Sequence, residues 1–195
     1  MTIACIVEGH AEVDAVPLLL RRIKGVVAPN RTLRLPPPIR IPGTRLRKRE
    51  GLRKAVSLAS KRTGEEDAIL VLMDAEDDCP AKKAPHLLQE AHRIRPDRRI
   101  RVVLAKHEYE AWFLAAAASL RGKRGFAPDA EAPQAPEDIR GAKEWMSARM
   151  KRPYSETIDQ PGFTGHFDLD RARAADSFDK LYREMETLLT RPTQP

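Results

Sequence analysis

Six consecutive apolar residues, Ala68 to Met73, run directly into Asp74-Ala75-Glu76-Asp77-Asp78, and no other junction in the chain restricts its fold as much. The apolar run is too short for a buried helix and lacks polar alternation. It therefore reads as a strand covered on both faces, the condition of a strand inside a parallel sheet. Parallel neighbours require crossover connections, usually helical. Residues 2–7 (TIACIV) give a first short strand, ended by Glu8-Gly9, and Ile100 to Ala105 another. Thr32 to Leu35 gives a weaker one, followed by the turn-rich Pro36-Pro37-Pro38 through Pro42-Gly43.

The helices expected between them follow from apolar spacing. One carries Val16, Leu19, Leu20 and Ile23 on a face and starts near Asp14, since Pro17 is tolerated only in a first turn. The basic run 45–62, then 82–95 and 107–121, can each be helical. Strands alternating with helices of this length predict an α/β fold, a parallel sheet of about four strands flanked by helices. Residues 1–121 are the expected core. Residues 122–195 are expected as a mostly helical extension packed on it as one structural unit: a Pro/Ala/Gly loop 122–137, helix 138–150, an irregular stretch 151–168 and helix 170–190.

In an open parallel sheet, ligands bind beyond the carboxyl ends of the strands. Here those ends carry acids: Glu8 after the first strand, Asp74 and Glu76 after the third with Asp77 and Asp78 behind, and Glu108 and Glu110 after the fourth. Two like charges about 4 Å apart cost roughly 4 kcal/mol at an effective dielectric of 20, so converging carboxylates either share a proton or bind a cation. All-oxygen ligands select a hard ion, Mg²⁺ first and Mn²⁺ second, over zinc.

Charge distribution points to a partner. Residues 21–62 hold fourteen Lys/Arg against one acid, Glu50, so this segment is +13 and the remainder of a +7 chain is −6. Such asymmetry suits a polyanion, with nucleic acid the commonest, and Arg45, Arg47, Lys48, Arg49 and Arg53 are the candidate contacts. A solvated basic helix is the plain alternative. Cys5 and Cys79 form neither a disulfide framework nor a zinc spacing. No apolar run approaches the roughly 18 residues of a membrane helix, and the N-terminus lacks the pattern of a signal peptide. A cytoplasmic protein without a membrane partner is the expectation.

Glu8-Gly9-His10-Ala11-Glu12, followed by an acid-x-acid element after a later strand, resembles the Toprim signature of topoisomerases, primases and OLD-type nucleases. Further segments are similar to the Toprim-like domain-of-unknown-function family 4276: Asp74 to Pro80, Glu108-Tyr109-Glu110-Ala111-Trp112-Phe113-Leu114, Arg140-Gly141-Ala142-Lys143-Glu144-Trp145, Asp159-Gln160-Pro161 and Ser177-Phe178-Asp179-Lys180. The resemblance covers nearly the whole chain. It implies Glu8 as acid/base and metal residue, Asp74 and Glu76 as metal ligands, and Asp78 and Glu110 as further acids around the ion. Lys143 is a candidate to neutralise a scissile phosphate. Glu76 departs from the usual Asp-x-Asp, and its longer arm loosens the geometry.

The activity so implied is Mg²⁺- or Mn²⁺-dependent hydrolysis or nicking of nucleic acid, DNA before RNA, in a defence or repair system. The chain has no GxxxxGK[ST] phosphate loop, so any ATPase must be a separate partner. The competing expectation is a catalytically silent Toprim-fold subunit that binds nucleic acid or regulates a partner. A receiver-like signalling domain fits less well, because it wants an adjacent acid pair after strand one. Plain structural roles also exist: strand and helix ends for the acids, core packing for Trp112 and Phe113, and no metal-ligand spacing for His10 and His107.

Overall fold

The computed structural model describes residues 1–190. The last five residues of the expected 122–195 extension lie outside the described residues. Four strands, β1 (Ile3–Val7), β2 (Ile39–Arg40), β3 (Ala68–Asp74) and β4 (Arg99–Ala105), form one all-parallel sheet in the order β2-β1-β3-β4. The chain is thus α/β. Helices α1 (Glu12–Val27), α2 (Gly43–Leu46), α3 (Arg49–Ser60) and α4 (Pro80–Ile94) make the connections. No helix among the described residues is long and apolar enough to cross a membrane.

Strand side chains alternate between the two faces, and each face has its own core. Ile3, Cys5 and Val7 of β1 join Leu70 and Leu72 of β3 and Val103 of β4 beneath α1 and the C-terminal helices. Ala4, Ile6, Ile69, Val71, Met73, Val102 and Leu104 meet Leu52, Val56 and Leu87 of α3 and α4 on the other face. Ile69 to Met73 are at most 1% exposed, so burial on both faces explains a run with no polar position. Each such side chain contributes roughly 1.5–3 kcal/mol by leaving water.

Several boundaries differ from the periodicity, each for a local reason. The strand expected over Thr32–Leu35 reduces to one bridge, Thr2 to Arg34, and the edge strand is Ile39–Arg40 instead. Pro36, Pro37 and Pro38 intervene without backbone donors, and pairing resumes only beyond them. α1 begins at Glu12 and takes Pro17 inside, two residues ahead of the expected start. The Glu12 carboxylate reaches back to two backbone N–H groups and anchors that start. The basic run divides into α2 and α3.

The helix expected over 107–121 is two short pieces, α5 (Ala111–Ala115) and α6 (Ala117–Leu120). His107, at φ +59°, is bridged to Glu76 and holds the entry as a turn. At the break, Ser119 Oγ donates to the Ala116 carbonyl at 2.6 Å. The expected helix 138–150 shrinks to α7 (Ala142–Ser147) behind Gly141, whose φ of +75° favours glycine. The irregular stretch 151–168 contains a helix, α8 (Glu156–Thr164), masked in the sequence by Pro161 and Gly162. Its Asp159 is fully buried, doubly bonded to Arg152 (2.6 and 2.7 Å) and to the Ser155 N–H (2.8 Å). The last helix divides into α9 (Leu169–Ala172), capped by Asp168, and α10 (Asp176–Thr190).

An aromatic cluster joins the extension to the sheet. Trp112 packs on Tyr109 and Phe178, and Phe113 on Phe163 and Phe167. Trp112 and Phe113 are therefore core residues, 0% exposed.

Candidate metal centre

β1 leads to β2 on one side of itself, while β3 lies on the other. Connections diverge at such a switch point, leaving a crevice beyond the carboxyl ends of β1 and β3. Glu8 follows β1 and Asp74 ends β3. The Asp74 N–H donates to Glu8 Oε1 at 2.7 Å, tying the two strand ends together. Glu12, four residues beyond Glu8 at the start of α1, completes a cluster: one carboxylate oxygen from each of Glu8, Glu12 and Asp74 lies within 4.8 Å of the others.

Glu12 lies within the Glu8-to-Glu12 motif, and nothing in the sequence pattern marks it as a ligand. Its inward direction depends on α1 starting at Glu12, so that the side chain folds back over the Glu8-Gly9 turn. Glu12 Oε2 accepts from the N–H groups of Glu8 (2.9 Å) and Gly9 (3.0 Å). Asp74 Oδ1 accepts from the Tyr109 N–H at 2.9 Å.

These carboxyls favour protons unless a cation replaces them. Burial pushes Glu12 up to about 7, with the neighbouring Glu8 charge adding to it. Burial also drives Asp74 well above the usual carboxylate range, reinforced by Glu12, Glu110 and Glu8. Glu8 is raised by burial too, although the Asp74 N–H and the Arg47 guanidinium offset part of that.

The helical extension closes the far side. Glu110, 0% exposed, is pushed up to about 7 by burial, and its Oε1 accepts from the Tyr154 hydroxyl (2.8 Å) and Gln160 Nε2 (3.2 Å). Its Oε2 has no partner, nor does Gln160 Oε1. Lys143 pairs with Glu156 at 3.1 Å. Burial alone would lower the Lys143 ammonium, but Glu110 and Glu156 outweigh it and hold the charge above the normal lysine range. Lys143 is the cation nearest in influence to the buried acids, acting on both Asp74 and Glu110.

The other sequence candidates lie elsewhere. Glu76 has a positive φ of 52° and a side chain 68% exposed, at the rim. It meets Arg47 at 3.3 Å, while its backbone bridges to His107. Asp78 pairs with Lys83 at 3.1 Å and lines a groove along β4 instead of the carboxylate cluster. Arg45, Lys48, Arg49 and Arg53 are exposed. Arg47 is not part of that outer surface. It turns inward, donating to the Asp74 carbonyl at 2.6 Å and lying 3.4 Å from Glu8. Gly43 makes room for this contact, since a Cβ there would collide with the Glu8 carboxylate.

The donor set is all oxygen, from three carboxylates with a fourth buried acid whose oxygen lacks a partner. That chemistry fits a hard divalent cation. A family described as a domain of unknown function, DUF4276, matches residues 7–186. Neither a curated protein nor a solved structure matches the chain at a significant level.

Proposed function

The chain belongs to the DUF4276 family, and we propose that it is a Mg²⁺- or Mn²⁺-dependent Toprim-type nuclease acting on phosphodiesters of nucleic acid, DNA before RNA. The observation that carries this reading is the convergence of Glu8, Glu12 and Asp74 at the switch point, with Glu110 buried behind them. Glu8, Glu12 and Asp74 would hold the ion, with Glu76 at the rim. Such an ion, when bound, neutralises phosphate oxygens and lowers the pKa of its water.

The chain's own groups supply the remainder. Lys143, kept charged by Glu110 and Glu156, offers a fixed cation for a phosphate oxygen. Glu8 holds or releases a proton at its carboxylate, whose affinity for protons is already raised. The exposed Arg45, Lys48, Arg49 and Arg53 offer phosphate contacts, and Arg47 of the same basic run reaches the centre itself. A cytoplasmic place of action agrees with two free cysteines, one buried and one exposed. A defence or repair role beside a separate ATPase belongs to the same reading.

One observation favours a second reading, a catalytically silent nucleic-acid-binding or regulatory subunit. Arg47 already sits on Glu8, Glu76 and the Asp74 carbonyl, as an internal counter-ion would. Cleavage of plasmid, linear DNA and RNA with Mg²⁺ or Mn²⁺ separates the two. Glu8→Gln should lower cleavage by about two or more orders of magnitude while nucleic acid still binds. A wild-type protein that binds but never cleaves, alone or with a neighbouring ATPase, supports the silent subunit.

A further inference from the structure

The sheet has one long open edge. β4 pairs only with β3, and the opposite edge, β2, is two residues long beside a run of prolines. The Ala105 carbonyl accepts from the Ala75 N–H (2.7 Å) on the β3 side, whereas the Lys106 N–H points outward to Ser177 Oγ (3.2 Å). Backbone groups alternate sides along a strand, so those of Ile100, Val102 and Leu104 also point outward. The Ile100 carbonyl accepts from the Arg101 guanidinium at 2.9 Å. The N–H and C=O groups of Val102 and Leu104 have no partner among the described residues.

These four groups lie on the floor of a groove of about 840 Å³. On one wall, α4 presents short or smooth side chains, Ala81, Ala84 and Pro85. On the other, α10 presents Asp176, Lys180 and Arg183. Proteins protect exposed edges with prolines, bulges or free charges. From Ile100 to Leu104, β4 has no proline or bulge and its one charge, Arg101, is taken by Glu184 at 2.6 Å, while Arg99 at the strand's start turns to the Glu66 carbonyl at 3.4 Å.

We propose that this groove receives a second copy of the chain, the two β4 strands pairing antiparallel about a twofold axis beside Val103. The result is one continuous eight-stranded sheet. In that register Val102 faces the partner's Leu104, and the N–H and C=O groups of both residues in each copy are joined. An axis perpendicular to the sheet sets α4 against its mate on one face and α10 against its mate on the other. Small residues on α4 allow a close approach.

On α10 the charges select the same arrangement. Ser177 lies by Lys106 at one end of β4 and Glu184 by Arg101 at the other, so α10 runs antiparallel to β4. The twofold therefore brings Asp176 to the partner's Arg183. Asp179 holds both Arg173 and Arg183, whereas Asp176 makes no ion pair among the described residues. A surface whose own two ends are complementary in this sense favours a copy of itself over an unrelated strand. This inference stands whether or not the carboxylate centre is catalytic.

Sedimentation across a concentration series, with hydrogen exchange read at single amides, tests it. The wild type should reach twice the 22.0 kDa of one chain, and the Val102 and Leu104 amides should become protected as the dimer forms. Val102→Pro removes an outward N–H but none of the β3 ladder, so it should fold and sediment as a monomer. Asp176→Arg should weaken the dimer by on the order of tenfold, and adding Arg183→Asp should restore it. If Val102→Pro fails to fold, the charge exchange and the amide protection decide alone. A wild type that is monomeric at every soluble concentration overturns the proposal. So does a dimer whose Val102 and Leu104 amides exchange freely, or one indifferent to Asp176→Arg, and a monomer whose edge binds only foreign peptides counts against it equally.

Discussion

Replacing Glu12 by Gln tests the electrostatics of the centre without disturbing its backbone anchor. The amide oxygen of Gln can still accept from the Glu8 and Gly9 N–H groups, which now bond Glu12 Oε2. Only the charge is lost. Burial moves the Glu12 carboxyl from 4.5 to about 7, and each unit is worth 1.36 kcal/mol. The folded protein therefore binds more protons than the unfolded chain between these values. The stability that Glu12 contributes is full below its unfolded value, falls as pH rises through the window, and is lost above about 7.

At pH 8.5 without divalent ions, Glu12 ionisation thus costs about 3 kcal/mol in the wild type, a cost that the Gln side chain does not carry. For a chain of this size that is about 6–12 °C in Tm. Thermal unfolding followed by circular dichroism, at pH 5 and pH 8.5 with chelator and then with Mg²⁺, provides the measurement. Glu12→Gln should be more stable than wild type at pH 8.5, near equal at pH 5, and blunted in its response to Mg²⁺. If the variant is less stable at both pH values, or the chelated wild type is equally stable at both, Glu12 is only a backbone anchor and the reasoning fails.

Replacing Arg45, Lys48, Arg49 and Arg53 together by Ser should leave the fold intact, since all four are exposed. Nucleic-acid binding should then depend less steeply on salt, the log–log slope falling by about 0.9 for each phosphate contact removed. An unchanged slope would move the binding face off α2 and α3. Ser177→Ala should cost about 2–4 kcal/mol in chemical denaturation. Ser177 Oγ bonds Glu137 and accepts from Trp112 Nε1 at 2.8 Å and the Lys106 N–H at 3.2 Å, so its loss strands buried polar groups. A loss below about 1 kcal/mol would mean that water replaces the hydroxyl.

The sequence by itself determined the parallel sheet and the strand ends that bear Glu8 and Asp74. Burial on both faces leaves a continuous apolar run such as Ala68–Met73, and that pattern is local. It also showed where the basic charge is concentrated, because charge requires no folding to count. Sequence could not order the strands as β2-β1-β3-β4, and that order alone sets Glu8 beside Asp74. Glu12 was visible as a residue, yet its inward direction follows from α1 starting two residues earlier than Pro17 suggested. Asp74 and Asp78 look alike in a run of acids. The chain turns between them, so one enters the crevice while the other pairs with Lys83 by the β4 groove. Glu110, Lys143, Tyr154 and Gln160 come from separate elements whose contacts span up to 50 positions. Only packing of the aromatic cluster brings them to one place, because the free energy that positions them belongs to long-range burial and not to any local spacing.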